Sequence, residues 1–166
     1  AEPPPIYVAT AGPITAKKAG ALCDWLITVG APEGKLEMIF EKCREGCREA
    51  GNDPAKFKFI LQLHLSWAPT DEEALANALL EWPNGGMKFP KQDIRSPHDF
   101  EQMAKLVRPE DFAGRMVISS DPQRHSAEIQ KFLDMGFHQV YLHNVGRNQA
   151  EWIDVFGRDV LPGLHA

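Results

Sequence analysis

Residues 57–66 alternate between apolar and mixed side chains, and this pattern restricts the possible folds most strongly. The odd-numbered positions from 57 to 65 are all Phe or Leu, whereas the even-numbered positions include Lys58, Gln62 and His64. Strands of an open parallel sheet covered by helices are apolar on both faces. A barrel strand packs one face under outer helices, and its inner face becomes polar toward the carboxyl end. The pattern therefore favours a (β/α) barrel.

Four predicted strands alternate with helices along the chain, as is typical of a parallel sheet with right-handed crossovers. These strands are Ile6–Ala9, Trp25–Val29, 57–66 and Gln139–His143. A complete TIM-type barrel has eight strands and about 250 residues. The 166 residues of this chain therefore predict half of such a barrel, unless the sheet is open. Residues 82–95 are irregular, rich in Pro and Gly, and predict an insertion loop.

Composition excludes several function classes. The net charge is −5, from 18 Lys+Arg against 23 Asp+Glu, so no basic field would attract nucleic acid. No apolar run approaches the roughly 20 residues that span a bilayer, and residues 1–5 lack the features of a signal peptide. We therefore expect a cytoplasmic protein with neither a nucleic-acid nor a membrane partner.

The three cysteines do not form a disulfide framework. Cys43 and Cys47 are four residues apart on the apolar stripe of a predicted helix, with no histidine or third cysteine close in sequence. Free cysteine packs as a small buried hydrophobe. We expect reduced, packed thiols and no metal site.

Candidate functional residues follow the strands, because barrel sites lie at the carboxyl ends of strands. Ala11, Gly12 and Pro13 open a helix, whose free N–H groups favour a phosphate, although the same residues also form ordinary turns. His64 and His143 end two strands, where each is either an acid, base or hydrogen-bond donor to a ligand or a structural histidine.

Two cations outside the predicted strand ends are further candidates. Lys91 lies in the predicted insertion, and Arg115 precedes the apolar residues 116–118. Together they would form a clamp for an anionic substrate, since arginine suits two-pronged contact with phosphate. The alternative is that each is a solvated surface charge.

Several short stretches together resemble one family. They are PPIYVA at 4–9 with AGP at 11–13, AG at 19–20 with Asp24, SDP at 120–122 and YLHNVG at 141–146. In order and spacing they are similar to the carboxy-terminal half of the luciferase-like monooxygenase family of flavin and deazaflavin oxidoreductases. The likeness is strongest to the glucose-6-phosphate dehydrogenase-like members that use coenzyme F-420, and it covers nearly all of residues 1–166.

The resemblance implies a TIM-type (β/α) barrel that binds coenzyme F-420 in its mouth and transfers a hydride between the coenzyme and a small substrate. It places Thr10, Ala11, Gly12 and Pro13, together with Thr28, beside the coenzyme. In sugar-phosphate members, the positions that match Lys91 and Arg115 hold the substrate phosphate.

One departure concerns the substrate. Sugar-phosphate members have a lysine shortly after the glycine that follows the second strand, whereas here Gly30 precedes Ala31, Pro32 and Glu33. This argues against glucose 6-phosphate.

The resemblance leaves the catalytic residues of this chain unknown. The histidine, tryptophan and glutamate that family members use at the hydride-transfer centre belong to the amino-terminal half. We therefore expect the chain alone to be inactive, with the missing amino-terminal half or a second copy as partner, and we expect a homo-oligomer.

Three alternatives remain open at this stage. The first is an FMN-dependent luciferase-like monooxygenase. The second is a non-catalytic half-barrel assembly module that associates through the edges at residues 6–9 and 140–143. The third is a small open α/β domain that binds phosphate at Gly12.

Overall fold

The computed structural model describes residues 3–88 and 93–165, over which strands and helices alternate. The strands are β1 (Tyr7–Ala9), β2 (Trp25–Val29), β3 (Lys58–Ser66), β4 (Val117–Ile118) and β5 (Gln139–Asn144). The helices are α1 (Pro13–Leu22), α2 (Glu33–Glu49), α3 (Asp71–Glu81), α4 (Pro97–Ala104), α5 (Pro122–Asp134) and α6 (Gln149–Val155). All four predicted strands are confirmed, whereas β4 was not predicted.

The sheet is parallel, with the order β1-β2-β3-β4, and β5 also pairs with β3. Ile27 of β2 lies opposite Ile60 of β3, and β4 pairs only with the last two residues of β3. Beside β5, the N–H of His138 donates to the carbonyl of Phe59 at 2.9 Å. The short β4 escaped prediction because two residues give no readable alternation.

Polar side chains begin the helices that follow β3. The hydroxyl of Thr70 accepts the N–H of Glu73 at 3.2 Å and thereby caps the start of α3. Ser96 caps α4 in the same way through the N–H of Asp99 at 3.4 Å. Across the described ranges, no helix combines the length and apolar character needed to cross a membrane.

The chain divides into two compact units. Unit 1 comprises the described residues up to Leu63 with Ile129–Leu142, and unit 2 comprises the described residues of His64–Glu128 with His143–Leu164.

In unit 1, α2 packs on the apolar face of the sheet. The rings of Phe40 and Phe59 lie 4.2 Å apart between centroids, and Leu26 and Leu61 are fully buried. Cys43 and Cys47 are buried free thiols, which confirms the packing interpretation. Burial raises the pKa of Cys43 to about 12, so it remains a neutral packing group.

In unit 2, a small apolar cluster lies around α3. Its fully packed members are Ala78, Phe112 and Val145, and partly buried side chains including Trp82 and Met116 pack against it. Residues 82–88 therefore lie beside an apolar core. Within them, the one regular element is a short 3-10 helix at Pro83–Gly85.

His125 is the most buried histidine of unit 2, and it predicts a loss of stability in acid. Its Nε2–H donates to the carbonyl of Ser119 at 2.9 Å, and its Nδ1 is buried without a partner among the described residues. Burial lowers the pKa of His125 in the folded protein. Below the unfolded pKa, near 6.5, the unfolded chain therefore binds a proton that the folded chain rejects.

We expect the free energy of unfolding to fall as the pH drops below about 6.5, by up to about 1.4 kcal/mol per pH unit for this proton. His125→Gln keeps the donor to Ser119 and should flatten that slope. Urea unfolding from pH 7 to 5 measures it, with the same change at exposed His98 as the matched control. An unchanged slope in His125→Gln would contradict this role.

Candidate functional site

The candidate residues of unit 1 lie at the start of α1. The hydroxyl of Thr10 accepts the N–H of Gly12 at 3.1 Å, and the N–H of Thr10 donates to the carbonyl of Ile27 at 3.0 Å. Gly12 is the N-cap of α1, and Pro13 has no N–H. An anion here would therefore have to bind N–H groups deeper in the first turn, because Thr10 already occupies that of Gly12.

The space around Gly12 is open. A Cβ added at Gly12 would meet no atom within 4 Å, so a ligand can approach this backbone closely. Thr28 lies differently: it is 4% exposed and opposite Leu61, on the side of the sheet that α2 covers. Contact between Thr28 and a coenzyme stays a prediction.

The structure brings His64 and His143 into direct contact. They occupy the carboxyl-terminal parts of β3 and β5, and their Nδ1 atoms lie 2.8 Å apart. Trp82, at the end of α3, packs on both, with its ring centroid 4.8 Å from that of His64 and 5.1 Å from that of His143. Trp82 was not predicted as a site residue, because its position directly before Pro83 at the end of a helix does not reveal this contact.

Burial lowers the pKa of His64, and the nearby His143 lowers it further. Full protonation of both rings would place two positive charges within hydrogen-bond distance, which both causes oppose. The 2.8 Å contact itself requires one Nδ1 to carry a hydrogen that the other Nδ1 accepts. We call this arrangement the histidine pair.

Two networks of hydrogen bonds fix the loops around the histidine pair. Asn144, 1% exposed, accepts the N–H of Trp67 at 2.9 Å, and Asn148 donates to the carbonyl of Trp67 at 3.1 Å. Asp71 accepts the N–H of Ser120 at 2.6 Å and its hydroxyl at 2.9 Å, which holds the pKa of that carboxyl below its usual value. Both sets of bonds join loops that follow different strands.

The predicted anion clamp is not assembled among the described residues. Lys91 lies outside them, and the exposed Arg115 donates to the carbonyl of Met87 at 3.0 Å. Within residues 3–88 and 93–165, no group of three or more His, Cys, Asp or Glu is arranged to hold a metal ion.

Comparison with known proteins identifies the class. The model of the luciferase-like monooxygenase family matches residues 1–139, and the chain belongs to this family. An F-420-dependent glucose-6-phosphate dehydrogenase of Intrasporangium calvum is 30% identical over 166 residues, covering 99% of this chain and 50% of that protein. A second F-420-dependent glucose-6-phosphate dehydrogenase, from Nakamurella multipartita, is 28% identical over 169 residues. The match covers 100% of this chain and 50% of that protein.

A solved structure gives the same result. An F-420-dependent secondary alcohol dehydrogenase, in complex with an F-420-acetone adduct, superimposes with a TM-score of 0.82 at 27% identity. The match covers 99% of this chain and 50% of that one, so the chain spans about half the length of the relatives it matches. The fold class is confirmed: parallel α/β, corresponding to half of a luciferase-like barrel enzyme.

Proposed function

We propose that this chain is part of an oxidoreductase that transfers a hydride between coenzyme F-420 and a small substrate. The observation that carries the proposal is the contact between His64 and His143 beside Trp82, at the carboxyl ends of two parallel strands, where barrel sites are built. The relatives that match nearly the whole chain are described as F-420-dependent enzymes, and this supports F-420 over FMN as the coenzyme.

The residues divide by role. Thr10, Ala11, Gly12 and Pro13 contact the coenzyme, supported by the open approach to Gly12. His64 and His143 bind the reacting end of the substrate, and Arg115 and Lys91 bind an anionic group if the substrate carries one. This chain holds the ligands in place, while the residues that act on the hydride come from elsewhere in the enzyme.

A partner surface follows from the exposed strands of unit 1. Tyr7 of β1 is 47% exposed and Tyr141 of β5 is 48% exposed, although both belong to the sheet. Large apolar side chains on strands normally pack against further structure. We propose that the amino-terminal half of the barrel, or a second copy of the chain, covers them, and that the chain without such a partner does not turn over.

We expect the chain to bind F-420 more tightly than FMN, as measured by quenching of coenzyme fluorescence in parallel titrations. Gly12→Leu should weaken F-420 binding by about tenfold or more, because the side chain fills the approach to the backbone. Gly34→Leu is the matched control, since Gly34 also opens a helix and also faces open space. Tighter FMN binding would favour the monooxygenase alternative.

Sedimentation velocity on the same samples tests the assembly alternative, which the exposed tyrosines of unit 1 favour. A monomer at all concentrations that binds neither coenzyme would contradict both functions.

A further inference from the structure

The two rings of the histidine pair contact each other through their Nδ1 atoms. At 2.8 Å, one Nδ1 must carry a hydrogen and the other must accept it. A neutral imidazole has one N–H and one bare nitrogen. The ring that donates through Nδ1 therefore has a bare Nε2, and the ring that accepts has an Nε2–H. Two neutral rings in this contact must therefore be opposite tautomers.

The two outer nitrogens are available to a ligand. Among the described residues, neither Nε2 has a hydrogen-bond partner, and neither belongs to the buried side-chain atoms that lack one. Both side chains are partly exposed, and the Trp82 ring packs on both. The pair thus presents one donor and one acceptor beside an aromatic surface.

We propose that the histidine pair binds a hydroxyl group of the substrate and discriminates against anionic groups at this position. The inference rests on the proposed function, which assigns both histidines to the substrate. A hydroxyl both donates and accepts, so it finds a partner at either Nε2, whereas a carboxylate only accepts and finds a partner at the Nε2–H alone, with the lone pair of the bare Nε2 repelling it. We therefore expect an anionic group of the substrate to bind more weakly here than a hydroxyl.

Two charged groups on the neighbouring elements are paired with each other and not with the histidine pair. Glu81 at the end of α3 and Arg147 in the loop after β5 form an ion pair with each other at 2.6 Å. Among the described residues, His143 is the one titratable group that acts on the pKa of His64. No carboxylate of the described ranges therefore acts on the pKa of His64.

The tautomers can be observed without any coenzyme. In protein labelled with ¹⁵N-histidine, long-range ¹H–¹⁵N correlation spectra distinguish Nδ1–H from Nε2–H rings, and His64→Gln and His143→Gln assign the signals. We expect one ring of each tautomer at neutral pH. Two rings of the same tautomer, or a charged ring, would overturn the proposal whether or not the chain binds F-420.

Ligand preference is tested with propan-2-ol and acetate as probes, at matched ionic strength. We expect propan-2-ol to shift the Nε2 signals of both rings, and acetate to produce a smaller shift, confined to the ring that carries the Nε2–H. His143→Gln places a polar group near the former Nε2 position and should retain alcohol binding, detected at His64. His143→Asn places its polar group near Nδ1 instead and should weaken binding about tenfold. Equal or stronger shifts with acetate would refute the discrimination against anions.

Discussion

Gly20→Ala and Gly46→Ala should each lower the free energy of unfolding by about 3 kcal/mol, at the upper end of overpacking effects. A Cβ on Gly20 would lie 1.9 Å from the carbonyl oxygen of Cys43, and a Cβ on Gly46 would lie 1.9 Å from that of Lys17. Because the atoms met are backbone, no side chain can rotate away, and α1 and α2 must separate.

Urea unfolding followed by circular dichroism measures this loss, and Gly34→Ala is its matched control. Gly34 lies in α2 with no atom within 4 Å of an added Cβ, so alanine there should be neutral or stabilise by up to about 1 kcal/mol. If the variants at Gly20 and Gly46 behaved like the control, the close crossing of α1 and α2 would be wrong. The ion pairs of Lys17 with Glu45 and Glu49 are exposed and contribute little by comparison.

The second large effect is expected from Asn144→Leu, at about 2–4 kcal/mol of lost stability. Asn144 is 1% exposed, accepts the N–H of Trp67 at 2.9 Å and donates to Asn148 at 3.2 Å. Leucine leaves the buried N–H of Trp67 without a partner, and water cannot replace the lost acceptor at so buried a position.

The measurement is again urea unfolding, now with Gln139→Leu as the control on the same strand. The exposed Gln139 side chain accepts a hydrogen bond from the hydroxyl of Tyr141, so its replacement should change stability by no more than about 0.5 kcal/mol. Since Asn144 directly follows His143, Asn144→Leu should also disturb the ring signals of the histidine pair. Equal effects of the two substitutions would show that the buried amide does not fix this loop.

The two predictions test different units of the molecule. The glycine contacts hold helices in unit 1, whereas Asn144 fixes the loops beside the histidine pair in unit 2. A loss of coenzyme binding with unchanged stability would therefore point to Gly12 and its surroundings. A loss of both would point to the scaffold.

The candidate site was predicted in part. The sequence placed His64 and His143 at strand ends, and both lie there. It did not predict their mutual contact, because 79 residues separate them and the relative register of two non-adjacent segments is not encoded in either alone. Trp82 was missed as a site residue for the same reason. Lys91 was predicted as an anion-binding residue because of its positive charge, and it lies outside the described residues.

The sequence by itself determined the local elements of this protein. Alternation over residues 57–66 fixed β3 and its apolar face, and the apolar stripe through Cys43 fixed α2, because strand and helix periods are properties of consecutive residues. The tertiary structure alone decided what those elements bring together. Packing chose the contact of Gly20 with α2, the acceptor for the N–H of Trp67 and the contact between the Nδ1 atoms of two histidines. Each depends on distances between residues remote in sequence, which only the folded chain defines.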